Sequence, residues 1–187
     1  MLNKPIVLQT PRLHVRPFEY ADLDAINAVL NESFGHMTTD DRGHWLAWTR
    51  MGYIEQARLY QPPFGDRAVV LRATGQVIGA VGFVPSFGPF DLLPGFAAES
   101  TGLNTTEMGL FYVLGSAWRG QGFATEAARA LASYAFTQLG LKRLVATTEH
   151  DNAASIAVMQ RLGMTLHSAP PQAPPWFQVI GVLHHNH

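Results

Sequence analysis

The stretch WRGQGFATEAARA, Trp118 to Ala130, sets two glycines and a small residue directly ahead of a helical pattern. An apolar run, EMGLFYVLG, comes before it and predicts a buried strand. Ala124, Ala127, Ala128, Leu131 and Ala135 fall on one face of the following helix, predicted over Thr125 to Leu139 with Gly140 at its end. The stretch is therefore the turn between a strand and a helix. Glycines at 120 and 122 let a ligand approach the unpaired N–H groups at the positive end of a helix dipole, which makes the turn a candidate anion site. The same two glycines also suit a plain tight connection, so both readings stand at this point.

Working outward, KRLVATTE predicts a strand, and Ala153 to Leu162 a helix stopped by Gly163. A proline-rich link, SAPPQAPP, leads to a last strand, WFQVIGVL. Upstream, RLHVRPF alternates as a strand and YADLDAINAVLN spaces apolar residues for a helix. Asp40 and Asp41 are candidate caps for a second helix through HWLAWTRMGYIEQARLY, on which Trp45, Trp48 and Tyr53 have core-like spacing. RAVVLRATGQVIGAVGFVPSF reads as two strands joined at Thr74-Gly75. From Gly88 to Thr106 a long loop rich in Gly, Pro and Phe is expected at the surface near a site, with FGPFDLLPGF suggesting a partly closed apolar entrance. Strand, helix and strand in tandem imply an α/β fold around a mixed sheet.

The chain has 187 residues, 47% hydrophobic and 14% charged, which predicts one globular domain over 1–187 with the terminal HHNH, residues 184–187, as a disordered tail. Thirteen basic and 14 acidic residues without a block of either sign give a net charge of -1 and argue against nucleic acid as a partner. The absence of cysteine removes thiolate zinc sites and a cysteine nucleophile. No window suits a membrane span, so the expected protein is soluble and cytoplasmic, with no membrane partner and no metal. A P-loop is excluded because the only lysines, Lys4 and Lys142, do not follow these glycines. A dinucleotide site lacks its third glycine, although Glu149 lies near the expected acidic position.

RGQGFA fits the pattern Q/R-x-x-G-x-G/A, and EHDNAASIAVMQRLGM follows about thirty residues later. With TPRLHVRPFEYADLDAI and GQVIGAVGF in their order, these segments resemble the GNAT superfamily of acyl-CoA-dependent N-acyltransferases over most of the chain. The likeness is to the branch that includes the ribosomal-protein N-terminal acetyltransferases. It implies a single-domain, mostly antiparallel mixed sheet with a splayed central parallel strand pair and flanking helices.

The resemblance also implies roles. Acetyl-CoA, as co-substrate, would lay its pyrophosphate on the amides of Gln121, Gly122, Phe123, Ala124 and Thr125, with Arg119 and Gly120 shaping the loop. The pantetheine arm would lie beside the strand of Phe111, Tyr112, Val113 and Leu114. Asn152 matches an asparagine that contacts the cofactor arm; it also suits an N-cap. Ser155 matches a hydroxyl able to protonate the leaving thiolate, or is an ordinary first-turn serine. Met159 stands where many members place a tyrosine and cannot donate a proton. Glu107, in Glu-Met-Gly, resembles a glutamate that helps deprotonate the amine, or is a strand-entry residue. His150 is read as a surface histidine with an alternative as base. The helix carrying Trp45, Trp48 and Tyr53 belongs, by the resemblance, to a region that helps form the acceptor pocket, with core packing the expected role for most of the three.

The expected function is transfer of an acetyl group to a primary amine, a peptide N-terminus or a small molecule, by direct attack in a ternary complex. The expected state is monomer or homodimer. Two rivals are a catalytically silent acyl-CoA-binding module and a dinucleotide-dependent oxidoreductase.

Overall fold

The computed structural model describes residues 5–97, 101–169, 173 and 177–185. These fall into two compact units. The first takes the chain up to Val84 together with Phe111–Leu131, and the second Pro85–Leu110 together with the chain from Ala132.

In the first unit, β1 (Leu8–Gln9), β2 (Leu13–Arg16), β3 (Gly65–Leu71), β4 (Val77–Gly88) and β5 (Thr105–Leu114) are neighbours in that order, the last two continuing into the second unit. The predicted hairpin is present as β3 and β4, antiparallel with Ala68 opposite Ala80. Gly75, at a φ of +73°, turns the chain between them. β4 meets β5 closely: a Cβ on Gly79 would stand 2.2 Å from the Val113 carbonyl oxygen. Only glycine allows that approach.

Helix α1 (Leu23–Phe34) follows a 3-10 turn, Tyr20–Asp22, closed by a bidentate Arg16–Asp22 ion pair at 2.7 and 2.9 Å. Its Ile26, Val29 and Leu30 pack with Phe18, Leu46, Ala68, Val70, Ala80 and Val113 in one core. Each such buried side chain contributes roughly 1.5–3 kcal/mol, enough to hold helix against sheet.

Helix α2 (Thr39–Arg58) begins earlier than the sequence suggested, because Thr38 and not an aspartate is its cap: Thr38 Oγ1 accepts from the Asp41 N–H at 3.1 Å. Asp40 and Asp41 occupy the first turn, where their charge favours the helix dipole. Its end is a Schellman motif, with Gln61 N–H donating to Gln56 O at 2.9 Å and Tyr60 N–H to Ala57 O at 3.3 Å. Tyr60 takes the left-handed position at a φ of +54° that glycine usually fills.

Trp45 meets Phe18 edge-on and Tyr53 donates to the Asp66 carbonyl, so both turn inward. Trp48 does not: it is 72% exposed, which corrects the core role its spacing suggested. Asp66 is half-buried with its Oδ1 enclosed and without a partner, and that enclosure pushes its carboxyl up to about 6 while Arg67 draws it partway back.

In the second unit the strand order is β5, β6 (Arg143–Thr148), β8 (Val179–His184), β7 (Thr165–Ser168). β5 and β6 are the parallel pair, registered at Gly109 opposite Val145, and all the other registered pairs in the two units are antiparallel. The mixed α/β class inferred from the sequence is therefore the class observed. β7 was not anticipated, because four residues are too few for a readable alternation; its pairing with β8 makes it a strand.

Helix α3 (Phe123–Thr137) crosses from the first unit to the second. α4 (Ala153–Leu162) has the predicted bounds, with Gly163 left-handed at its C-terminus. Met159 and Met164 press their sulfurs toward Gly181 of β8, 3.0 and 2.9 Å from where a Cβ would stand.

The long loop is also anchored rather than open. Phe90 is fully buried, edge-on to Phe177 at 5.1 Å and stacked on Phe96, while Asp91 accepts from Thr101 N–H and Oγ1, each at 2.6 Å. The supposed tail begins inside structure: His184 ends β8 and His185 stacks on Phe136, with residues 186–187 outside the described residues. Among the described residues no helix is long and apolar enough to cross a membrane.

Candidate functional site

The first unit holds the glycine turn and the strand before it. Phe111 and Tyr112 are half-buried and Val113 and Leu114 buried, and β5 ends where Gly115 N–H donates to Ile78 O at 3.0 Å. A 3-10 turn, Ser116–Trp118, follows, held by the Glu32 carboxylate, which accepts from Ser116 N–H at 2.7 Å. That backbone donor, foremost, holds the Glu32 carboxyl below its usual range.

Arg119 fixes the turn from the other side, donating to Leu114 O and to Ser33 Oγ, each at 3.0 Å. Its guanidinium is thus a brace for the loop. Gln121 likewise turns its side chain back to Ala117 O at 2.9 Å.

Gly120 and Gly122 have φ of +74° and +81°, the left-handed region that favours glycine. The space a Cβ would take at Gly120 is open. Helical bonding starts with Glu126 N–H to Gly122 O at 3.0 Å, so the N–H groups of Phe123, Ala124 and Thr125 precede the ladder. With glycine at the capping position there is no side chain to satisfy them. Thr125 Oγ1, in the same first turn, is buried without a hydrogen-bond partner. This donor set is suited to a phosphate or pyrophosphate.

Two residues at this turn escaped the sequence reading. Arg12 lies over the Phe123 ring at 4.3 Å, donates to Gln121 O at 3.0 Å and pairs with Glu126 at 2.6 Å. Glu126 also accepts from Thr10 Oγ1 and the Arg12 N–H. Burial raises its proton affinity, but those hydrogen bonds and the Arg12 charge outweigh it and leave the carboxyl below the usual range. An acidic residue in the first turn of α3 was the available signal. Its partner, 114 residues away, had none in the sequence.

The second unit holds Glu107, Asn152, Ser155 and Met159. Glu107 and Arg143 each lie two residues before the paired Gly109 and Val145, so the parallel register sets them side by side. Arg143 Nε donates to Glu107 Oε2 at 2.9 Å and its NH2 to Oε1, with the guanidinium 3.8 Å from the Phe96 ring centre. Both oxygens of Glu107 are committed to one cation.

Asn152 is the cap of α4, its Oδ1 accepting from Ser155 N–H at 3.0 Å, so the capping reading is realised. Ser155 is half-buried in the first turn. Met159 is fully buried, on the core side of α4. His150 is exposed, as expected.

A separate cavity of about 320 Å³ in the first unit, lined by Ile6, Tyr53, Gln56, Gln61, Pro63 and Arg67 among others, shares no residue with the glycine turn.

A family model described as the acetyltransferase (GNAT) domain matches residues 12–165. The chain is 27% identical over 161 residues to the uncharacterized N-acetyltransferase YnaD of Bacillus subtilis (strain 168), covering 84% of this chain and 81% of that protein. A solved acetyltransferase of the GNAT family from Bacillus anthracis aligns with a TM-score of 0.70 at 20% identity, over 96% of this chain and 98% of that one. RimL, a ribosomal L7/L12 alpha-N-protein acetyltransferase solved in complex with coenzyme A, aligns with a TM-score of 0.64 at 14% identity, over 95% and 96%. At such identities the structural likeness speaks for the fold alone.

Proposed function

We propose, from the premise that this chain belongs to the acetyltransferase (GNAT) family, that its two units form one N-acetyltransferase domain using acetyl-CoA and a primary amine. The amine is a peptide N-terminus or a small-molecule amine, and the transfer is direct, within a ternary complex. The observation that carries this reading is the start of α3. Two left-handed glycines, an open position at Gly120 and three N–H groups ahead of the helical ladder make a fitting seat for the pyrophosphate of acetyl-CoA.

The thioester supplies the activated acetyl group, and the chain supplies orientation and a place for protons. Arg119 and Glu32 hold the loop in shape, Arg12, its charge met by Glu126, ties it through Gln121 O, and Phe111 to Leu114 offer the strand edge for the pantetheine arm. Asn152 caps α4, and the family likeness assigns its amide to the pantetheine arm. Ser155 Oγ, itself reprotonated from solvent, or water directly, gives a proton to the leaving thiolate.

Glu107 takes the proton of the amine by way of water. Both oxygens of Glu107 are held by Arg143, so positioning carries most of the rate, and removal of this carboxylate is expected to cost nearer the lower end of the usual hundred- to ten-thousand-fold range, about 10²-fold.

Acetyl-CoA and CoA, but not NADH, are expected to raise the thermal unfolding temperature, and a panel of amines is expected to release free thiol from acetyl-CoA. Absence of both effects at ligand concentrations far above a plausible Kd would remove the proposal.

A further inference from the structure

Helix α2 is apolar on two sides. Leu46 and Thr49 are buried against the first unit, yet Trp48, Met51 and Ile54 are 72%, 63% and 61% exposed. The exposed positions of α2 from Asp41 onward are Asp41, His44, Trp48, Met51, Ile54, Glu55 and Arg58, and all but Ile54 are spaced three, four, three, four and three residues apart. That is the spacing of a helix seam that meets another helix. Single exposed apolar residues need no explanation, but a stripe running along one helix does.

The ends of this seam carry opposite charges. Asp41 stands in the first turn, accepting from the Thr38 hydroxyl, and Arg58, 70% exposed in its side chain, closes the last in an exposed ion pair with Glu55 at 3.0 Å, a contact weak enough in water to be exchanged at an interface. We propose that this face of α2 is an antiparallel, two-fold interface with a second copy of the chain.

A two-fold axis between Thr49 and Arg50 sets Trp48 against Met51 of the second copy, His44 against Glu55 and Asp41 against Arg58. Every opposed pair is then apolar with apolar, or acid with cation or imidazole. A two-fold interface must be self-complementary in this way, since each contact occurs twice. A parallel pairing would put Asp41 on Asp41 and Arg58 on Arg58. Trp48 and Met51, at the centre, are the residue types that carry binding energy, and the charges at the rim set register and direction.

Sedimentation equilibrium of the full chain over about 1–200 µM tests this, with the mass expected to rise toward that of a dimer. Trp48→Glu is expected to weaken association by at least about 100-fold. Asp41→Lys and Arg58→Glu are each expected to weaken it about tenfold, and the double variant to return within about threefold of the parent, because its charges again oppose. Circular dichroism of each variant keeps a folding defect apart from a lost contact, and a folding defect would not be rescued by the second substitution.

A chain that stays monomeric throughout overturns the proposal and leaves the stripe to another protein. A dimer indifferent to all of these changes overturns it as well, since copies would then meet elsewhere.

Discussion

The N-termini of α3 and α4 meet the same physical requirement in opposite ways. α4 satisfies its first turn from within, Asn152 Oδ1 taking the Ser155 N–H at 3.0 Å. α3 starts from Gly122, which has no side chain to offer, and its first three N–H groups come before the ladder. The first arrangement stabilises the fold. The second leaves donors for a ligand and braces the loop by other means, with Arg119, Glu32 and Arg12 holding its edges. The difference between a stabilising helix start and a binding one is thus whether the chain fills its own donors.

The largest effect is expected from breaking the open end. Gly120→Val places a β-branched residue at a φ of +74°, costing about 1–2 kcal/mol, and fills the approach to the amides. Acetyl-CoA affinity by calorimetry is expected to fall at least about 100-fold. Binding within threefold of the parent would make the loop a plain turn.

Next comes Asp66, whose Oδ1 the first unit encloses without a partner. Its carboxyl rises from 3.8 to about 6, so the folded chain holds a proton that the unfolded chain releases between about pH 4 and 6. Stability therefore falls as pH rises through that window and stays lower above it. Asp66→Asn is expected to gain about 1–2 kcal/mol in denaturant unfolding at pH 8 and to lose that advantage near pH 4. A gain independent of pH would contradict the assignment.

Asn152 sharpens the contrast from the closed end. Asn152→Ala is expected to cost about 1 kcal/mol of stability and to weaken acetyl-CoA about three- to tenfold. Asn152→Asp keeps the capping oxygen and loses the amide, so it is expected to restore stability and not affinity. Restoration of both would leave the residue a cap alone.

The smallest effect concerns a helix end filled by an unusual residue. Tyr60→Gly relieves the left-handed φ of +54° and is expected to raise stability by up to about 1 kcal/mol in thermal unfolding. No gain would mean that Tyr60 makes up its strain through contacts elsewhere.

Local chemistry made parts of this molecule legible in advance. The turn at Gly75, the helix stop at Gly163 and the strand-turn-helix at Gly120 follow from glycine's freedom at positive φ, and α4 has the bounds its pattern suggested. What stayed hidden depends on pairing between distant segments. The Glu107–Arg143 pair exists because a parallel register brings 107 beside 143, and Arg12 meets Glu126 across 114 residues. β7 is a strand because β8 lies beside it. Trp48 shows the limit of periodicity on a helix apolar on two sides: spacing groups residues by face without saying which face is inside. Phe90 shows the same for a loop, whose apolar residues suggested an entrance and instead fill a core.

The two methionine sulfurs set against Gly181 also bear on the protein's chemical lifetime. Met159 is fully buried and Met164 is 6% exposed, their sulfurs 3.0 and 2.9 Å from where a Cβ on Gly181 would stand. Peroxide would reach the exposed Met51 long before either, while a sulfoxide formed on Met159 would have to push β8 and α4 apart. In a chain without cysteine, damage of this kind is thus ordered: the surface thioether is spent first, and the second unit loses its packing only after it has opened.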